Sequence, residues 1–200
     1  MGSVERRERQ KAEVRATVLR AARELVMREG FEALTMRKLA EAIEYSPAAL
    51  YLHFENRDAI ARALCLEGFE ALLTRLGPPN EEPVAARRLR ALAVAYVGFG
   101  LEQPETYRLL FMTDPKYTSD IFRSPEDAGG RTFQVLVRLV EDLKAQGAVA
   151  DTVAGVPLAE VLWGALHGVV SLKLTCPIFP STPIEPLLDT LVALCTSRAG

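Results

Sequence analysis

Apolar residues recur at helical spacing along most of this chain. In the first predicted helix, about residues 5–29, Leu19, Ala22 and Val26 fall at i, i+3 and i+7, while Arg and Glu occupy most other positions. Leu and Ala are abundant, and Val and Ile rarely alternate with polar residues over the length of a strand. The pattern predicts an all-α fold of about nine helices.

The first four predicted helices have recognisable ends. Gly30 is placed to stop the first helix in the left-handed αL conformation. Each of the next three begins after a residue that caps a helix N-terminus. These caps are Thr35 for residues 35–42, Ser46 for 47–52, and Asn56 for a helix reaching about residue 76. Further helices are predicted over residues 84–100, 104–111, 125–146, 157–176 and 182–196, and residues 113–130 have the weakest helical pattern.

Charge is distributed unevenly along the sequence. Residues 1–40 hold ten Lys and Arg against six Glu, a net charge of +4. The remaining 160 residues have a net charge of −6, which gives −2 for the whole chain. A basic head on an acidic body allows a DNA-binding subunit to dock in one orientation. The charge pattern therefore favours nucleic acid as the partner of the N-terminal part.

The two short helices predicted at residues 35–42 and 47–52 are separated by a brief turn. Such helices pack at a steep angle, so the second can enter a DNA major groove. Its N-terminal end carries small residues that let the backbone approach the base edges, namely Ser46, Pro47, Ala48 and Ala49. The unpaired N–H groups and positive dipole end of a helix also favour phosphate.

The stretch from Thr35 to Arg57 resembles the DNA-binding signature of the TetR/AcrR family of transcriptional regulators. In that signature an Ile/Leu-Ala pair is followed, after a turn, by Ser-x-x-x-Leu-Tyr-x-His-Phe and then a basic residue. The matching positions are Leu39-Ala40, Ser46, Leu50-Tyr51, His53-Phe54 and Arg57. The resemblance implies base-edge positions for Ser46, Pro47, Ala48 and Ala49. It also implies phosphate contacts for Tyr51, His53 and Arg57, and contacts to the neighbouring DNA backbone for Thr35 and Arg37.

The resemblance also implies a subunit organisation and a mode of action. A helix-turn-helix DNA-binding domain would occupy residues 1–58 and be linked through the helix at 59–76. An effector-binding and dimerisation domain would occupy residues 77–200. The expected function is that of a homodimeric repressor, released from a palindromic double-stranded DNA operator by a small molecule. No cofactor is implied.

One position departs from the family pattern. The family usually has Gly in the turn where this chain has Glu44, because the backbone there tends toward positive φ. A non-Gly residue in that conformation costs about 1 kcal/mol. Glu44 also places a negative charge near the groove, and we interpret it as a tolerated variant because the flanking positions fit.

A second resemblance lies in the C-terminal half. Trp163, His167 and Gly168 match the Trp-x-x-x-His-Gly (WHG) element of one TetR C-terminal subfamily, in which body helices enclose a small-molecule pocket. Aromatic residues are frequent in this half, which favours an apolar or aromatic effector. The candidate pocket residues are Tyr96, Phe99, Tyr107, Phe111, Phe133, Trp163 and His167. Core packing accounts for most of them equally well, and for His167 a core hydrogen bond to a backbone carbonyl is the preferred interpretation.

The last two predicted helices each carry an apolar stripe. Together the stripes exceed what one small body needs to bury, so a two-fold four-helix interface is predicted. The interface candidates are Leu158, Val161, Ala165, Leu187, Leu188, Leu191 and Val192. Gly164 and Gly168 share a face that would let a partner helix approach closely.

Cysteine usage and hydropathy predict a cytoplasmic protein. Cys65, Cys176 and Cys195 are far apart and form no Cys-x-x-Cys pair, which fits a reducing compartment rather than a disulfide framework or zinc site. The N-terminus is charged, so no signal peptide is expected. The most apolar stretch, residues 156–174, is interrupted by charged side chains and predicts a buried helix rather than a membrane span.

Two other function classes are an enzyme and a protein-interaction module. The sequence has no Gly-x-Ser-x-Gly elbow, phosphate-binding Gly loop or metal-spaced cluster, so we predict no enzyme, catalytic residue or metal site. The alternative is a helical protein-interaction module with a degenerate helix-turn-helix. It is favoured by Glu44 and by the absence of hydrogen-bonding side chains at Pro47, Ala48 and Ala49. The aromatic and basic residues of the signature argue against it.

Overall fold

The computed structural model describes residues 3–119, 121–176 and 178–196 of the chain. Within these ranges it contains nine α-helices, three single-turn 3₁₀ helices and no strand, so the predicted all-α fold is confirmed. The helices are α1 (Ser3–Glu29), α2 (Met36–Ala42), α3 (Pro47–Tyr51), α4 (Arg57–Leu76), α5 (Ala85–Glu102), α6 (Pro104–Phe111), α7 (Ala128–Ala145), α8 (Gly155–Thr175) and α9 (Ile184–Thr196). The 3₁₀ helices are Phe31–Ala33, Pro78–Glu81 and Pro115–Tyr117.

Two compact units divide the chain. The first unit comprises Met1–Gly68 and Glu105–Ser119, and the second unit comprises Phe69–Pro104 and Asp120–Gly200. Nearly all of α6 and the 3₁₀ turn after it therefore belong to the first unit. The division by function at residue 77 stays a prediction.

Side-chain caps set the beginnings of three helices in the first unit. The Thr35 hydroxyl accepts a hydrogen bond from the Lys38 backbone N–H at 3.1 Å, which starts α2. The Ser46 hydroxyl accepts from the Ala49 N–H at 3.2 Å, with Pro at the first position of α3. The Asn56 side chain accepts from the Ala59 N–H at 2.9 Å and starts α4. The three predicted caps are confirmed.

The end of α1 differs from the prediction. Gly30 has φ 80° and ψ 164°, a region that only Gly adopts readily, and not the αL region we expected. The reason is that the chain does not turn back after α1 but enters the 3₁₀ turn at Phe31–Ala33, which the hydrophobic pattern did not predict.

Apolar side chains from α1 to α4 and α6 form the core of the first unit. Its buried members include Val18, Leu25, Leu34, Leu39, Leu50, Phe54, Ile60 and Tyr107. The α4 and α6 helices approach closely at Gly68, where an added Cβ would lie 3.0 Å from a Leu110 methyl and 3.1 Å from the Thr106 methyl. Cys65 is buried beside this contact, and burial raises the pKa of its thiol to about 12.

In the second unit, α5, α7 and α8 pack around a core of aliphatic side chains, including Leu89, Leu92, Leu136, Leu139, Leu143, Leu162 and Leu166. The α7 helix begins at Ala128 rather than at residue 125 as predicted. Residues before it form a turn in which the Asp127 carboxylate accepts a hydrogen bond from the Ser124 N–H at 2.9 Å. Pro125 therefore lies in the turn and not in the helix.

The prediction that residues 156–174 form a buried helix is only partly correct. One face of α8 is buried, through Ala159, Leu162, Leu166 and Val170. Only 22% of its most apolar 18-residue window is buried, although α8 is long and apolar enough to cross a bilayer by length and composition alone. A helix that is apolar all round needs cover on more than one face, and the second unit supplies it on one.

Candidate nucleic-acid interface

The turn between α2 and α3 is a Schellman motif. The Tyr45 N–H donates to the Ala40 carbonyl at 2.9 Å, and the Glu44 N–H donates to the Glu41 carbonyl at 3.3 Å. Glu44 has φ 57°, so the predicted positive φ at this position is confirmed. The motif normally uses Gly there, and Glu44 holds the turn at a cost of about 1 kcal/mol.

The α3 helix is anchored on one side and open on the other. Leu50 is buried, and it is followed by buried Phe54. Ser46, Pro47 and Ala48 are exposed and Ala49 is half-buried. The four small residues that the resemblance assigns to base edges therefore form the accessible N-terminal end of this helix.

Two predicted phosphate contacts, Tyr51 and His53, lie at the C-terminal end of α3. Tyr51 is 54% exposed. His53 is half-buried, and its Nδ1 has no hydrogen-bond partner among the described residues. The His53 carbonyl accepts from the Arg15 guanidinium at 3.2 Å, and that guanidinium stacks on the Phe54 ring at 4.1 Å. Arg15 thus fastens the segment after α3 to α1, a role that the hydrophobic pattern did not reveal.

Arg57 is held inside the first unit. Its guanidinium donates to the Phe31 carbonyl at 3.0 Å, stacks on the Phe31 ring at 4.3 Å and lies 3.5 Å from the Glu32 carboxylate. These contacts tie the start of α4 to the 3₁₀ turn after α1. The phosphate contact implied for Arg57 stays a prediction, and a structural role is observed beside it.

Thr35 and Arg37 are exposed at the start of α2. The Thr35 hydroxyl caps the helix, and Arg37 pairs with Glu41 at 2.9 Å one turn further along. Lys38 pairs with Glu29 at 2.8 Å, and this hydrogen bond is the main reason that the pKa of the Glu29 carboxyl is lowered. Acidic partners therefore accompany the basic side chains of α2.

The sequence analysis missed a polar cluster around Asp58. The Tyr117 hydroxyl donates to the Asp58 carboxylate at 3.0 Å, and the Lys116 ammonium lies 3.1 Å from the same carboxylate. These hydrogen bonds, with Lys116 first, lower the pKa of Asp58, while burial is the main cause that raises the pKa of Tyr117. The Tyr117 ring also meets Phe31 edge-on at 5.3 Å. The partners are 59 residues apart, so no local pattern signals the contact.

An aromatic cluster in the second unit contains three of the predicted pocket residues. The Trp163 indole N–H donates to the Tyr96 hydroxyl at 3.0 Å, and the Phe133 ring centroid lies 5.6 Å from that of Trp163. Phe122, which the prediction omitted, lies 6.1 Å from Trp163. A cavity beside the cluster measures about 10 Å³, which holds at most one water molecule. Its lining is Leu76, Leu92, Tyr96, Thr132, Leu136, Trp163 and Leu166.

The remaining predicted pocket residues are Tyr107, Phe111, Phe99 and His167. Tyr107 and Phe111 stack on each other at 4.8 Å within the first unit, because α6 packs there. Phe99 lines a different cavity of about 180 Å³, together with Ala71, Thr74, Arg75, Glu102 and Gln103. His167 is half-buried on α8, and burial lowers its pKa. The aromatic residues of this prediction are therefore divided between the two units.

Most predicted interface residues lie on a partly uncovered apolar surface of α8 and α9. Val161 is 65% exposed, whereas Leu158, Ala165, Leu187, Leu191 and Val192 are half-buried. No described atom outside the backbone of α8 lies within 4 Å of where a Cβ would stand at Gly164 or Gly168. Leu188 is fully buried within the second unit and belongs to its core.

A capped helix pair with an open second helix defines a helix-turn-helix DNA-binding protein. Residues 18–64 match the family model described as "Bacterial regulatory proteins, tetR family". Residues 89–195 match the model described as "Tetracyclin repressor-like, C-terminal domain". The chain belongs to the TetR family and is a transcriptional regulator, not an enzyme.

Individual relatives agree with this assignment. The chain is 27% identical over 132 residues to the HTH-type transcriptional regulator UidR of Escherichia coli (strain K12), covering 58% of this chain and 67% of UidR. It is 45% identical over 60 residues to the tetracycline repressor protein class C of Escherichia coli, covering 30% of this chain and 26% of that protein. A solved protein of unknown function from Rhodococcus sp. RHA1 is similar with a TM-score of 0.75 and 26% identity, covering 90% and 92% of the two chains.

Proposed function

We propose that this regulator is a homodimeric repressor that occupies a palindromic operator and leaves it when a small apolar or aromatic effector binds. The observation that carries the proposal is the pairing of two features in one chain. The first unit presents an open reading helix, α3, and the second unit leaves an apolar face of α8 and α9 uncovered. A protein that reads operators works beside the chromosome, so we place it in the cytoplasm.

The exposed end of α3 supports a particular kind of DNA readout. Pro47 and Ala48 have no hydrogen-bonding side chains, and they suit contact with thymine methyl groups. Ser46 supplies the single hydroxyl, which also serves as the cap of α3. With so few base contacts available, part of the sequence preference comes from DNA shape.

The surface of α8 supports a two-fold pairing of chains. Gly164 and Gly168 leave open space for a partner helix, and Val161 is exposed beside them. Two copies of α8 and α9 would form a four-helix interface that covers both apolar faces. Such a dimer presents two reading helices, and these must stand about 34–36 Å apart to meet successive major grooves.

The aromatic cluster supports the class of effector. Tyr96, Phe133 and Trp163 already contact one another, and the cavity beside them is small and mainly apolar in its lining. An apolar ligand would enter by separating these rings. It would release DNA only if it binds more tightly to the opened state than to the closed one.

The proposal is tested first on DNA. The purified protein is used to select sites from random duplex DNA, and the enriched sequence is then titrated over a range of salt concentrations. We expect a palindromic site whose affinity falls steeply as salt rises. If folded protein enriches no site, the repressor proposal fails, and the interaction-module alternative with Glu44 in its turn takes its place.

The effector is tested with an intrinsic probe. Trp163 is the single tryptophan of the sequence, so its fluorescence reports directly on the cluster. Small aromatic and aliphatic compounds are titrated, and each compound that changes the fluorescence is then tested for release of the selected operator. Compounds that change the fluorescence without weakening DNA binding would contradict effector release from this site. Trp163→Phe is the matched control for the optical signal.

A further inference from the structure

The N-terminal part of α1 extends beyond the packed body of the first unit. The helix begins at Ser3, and among its described side chains, which start at residue 5, the first fully buried one is Val18. Between residues 5 and 16 every side chain is exposed except that of Val14, which is half-buried. The match to the N-terminal family model also begins at residue 18. About three turns of helix therefore precede the part that packs.

The basic residues of this extension are not spread evenly around the helix. Arg7, Lys11 and Arg15 follow one another at i, i+4 and i+8, so they lie on one face, with Glu8 at its border. Arg6 and Arg9 point to the opposite side, where they are mixed with Glu13. We call the first face, Arg7 with Lys11 and Arg15, the basic stripe of α1.

The basic stripe starts at the helix-turn-helix itself. Arg15 stacks on Phe54 and donates to the His53 carbonyl, directly after α3. From this anchor, Lys11 and Arg7 continue outward along α1 over about 12 Å. Duplex DNA carries about one phosphate charge per 1.7 Å of its axis, so a stripe of this length can run beside several phosphates.

We propose that Arg7 and Lys11 bind the DNA phosphate backbone outside the base pairs that α3 reads, and so extend the footprint of each subunit. This inference rests on the proposed function as an operator-binding protein. The contact is made to phosphate and not to bases, because long cationic side chains on an exposed helix offer no fixed hydrogen-bond pattern to a base edge. It strengthens binding to all sequences alike.

A membrane surface fits the same helix poorly. A helix that lies on a bilayer needs an apolar face with Leu, Phe or Trp opposite its charges. Residues 5–16 contain Ala and one Val as their only apolar side chains. An acidic protein is the remaining partner class, and the experiment below separates it from DNA.

The test compares two double variants that remove the same charge. Arg7→Gln with Lys11→Gln removes two cations from the basic stripe, and Arg6→Gln with Arg9→Gln removes two from the opposite face. Affinity for the selected operator is measured between 50 and 200 mM salt, circular dichroism checks helicity, and the sequence preference is redetermined. Each lost phosphate contact lowers the slope of log affinity against log salt by about 0.9.

For the stripe variant we expect the slope to fall by about 3 to 4 in a dimer, and affinity at 0.1 M salt to drop at least about tenfold with the preferred sequence unchanged. For the opposite-face variant we expect a slope change below about 1. Equal changes in the two variants, or none in either, would overturn the inference and leave an acidic protein as the partner to seek. If the wild type selects no site, the proposed function fails, and the same variants measured on random-sequence duplex still decide the role of the stripe.

Discussion

The first and second units are held together by different means. In the first unit, α2, α3 and α4 each begin with a side chain that caps the helix, and Arg15 and Arg57 fix connecting segments through carbonyl and ring contacts. In the second unit, the N-cap residues of α5, α7 and α8 make no side-chain cap, and the Ala85 N–H at the start of α5 donates instead to the Gln146 side chain, 61 residues away, at 2.9 Å. These helices are placed by apolar packing and by ion pairs between helices, such as Arg88 with Asp142 at 2.9 Å and Arg90 with Asp189 at 2.7 Å.

The difference suits a first unit that keeps one geometry and a second unit whose helices respond to a ligand or partner. A reading helix must present its side chains to DNA in one geometry, and here the side-chain caps together with the Arg15 and Arg57 anchors fix that geometry. Helices positioned by contacts with distant parts of the chain can shift when a ligand or a partner changes those contacts. The second unit also leaves part of the apolar surface of α8 uncovered, and the proposed dimer would cover it.

The largest expected effect comes from the open end of the first unit. Ala48→Glu places a carboxylate on the exposed surface of α3, where it would face phosphate and base edges. We expect operator affinity to fall about a thousandfold, to the level of non-specific binding, with no change in Tm. Ala145→Glu, at the exposed end of α7, is the control. Equal losses in the two variants would contradict the assigned reading surface.

The second effect breaks the proposed partner face of the second unit. Val161→Glu would bury an unpaired charge at a two-fold interface, so we expect the dimer dissociation constant to rise at least about a hundredfold. Sedimentation over a range of concentrations measures it. Val153→Glu makes the same change at an exposed loop residue before α8 and should leave the dimer intact. A Val161→Glu protein that remains dimeric would place the interface elsewhere.

A smaller effect is expected at Glu44, in the turn between α2 and α3. Glu44→Gly removes both the side-chain charge and the cost of positive φ, so we expect the free energy of unfolding to rise by about 1 kcal/mol. Glu44→Ala removes the charge but keeps the strained backbone. Both should tighten non-specific DNA binding to a similar degree, and only the Gly variant should be more stable. Weaker DNA binding by both variants would contradict this placement of the turn.

The smallest effect is a pH dependence in the second unit. Burial lowers the pKa of His167 in the folded state, so below its ordinary pKa of 6.5 the unfolded chain binds a proton that the folded chain resists. Stability contributed by neutral His167 is therefore present above that pH and is lost as the pH falls. His167→Gln should make unfolding less dependent on pH between 7.5 and 5, with pH 8 as the reference. If the denaturant midpoint of His167→Gln changes with pH as steeply as that of the wild type, burial of His167 has no energetic role.

Local signals made the first unit predictable. The caps and the proline at the start of α3 each depend on neighbours within a few residues, so the sequence alone indicates them, whereas the positive φ at Glu44 was implied by the resemblance to the TetR family. The anchoring of Arg57 on Phe31 and of Tyr117 on Asp58 joins residues 26 and 59 positions apart. Such contacts produce no periodic pattern in the sequence, so the cluster around Asp58 was not predicted.

The second unit was predicted in outline only. Apolar spacing located α5, α7 and α8 and indicated that α8 and α9 carry more apolar surface than one chain buries, but it could not show which face of α8 is the core face. Aromatic density suggested one pocket, although Tyr107 belongs to the first unit and Trp163 to the second, and Phe99 lines a cavity that Trp163 does not line. Which apolar side chain meets which is decided by tertiary packing, and composition carries no information about it.

The central claim is that two chains read one operator through two copies of α3. The most direct test measures affinity and stoichiometry on the selected operator and on a duplex in which one half-site is replaced by unrelated sequence. We expect two chains on the intact operator and at least about a hundredfold weaker binding to the single half-site. One chain bound to either duplex with equal affinity would contradict it.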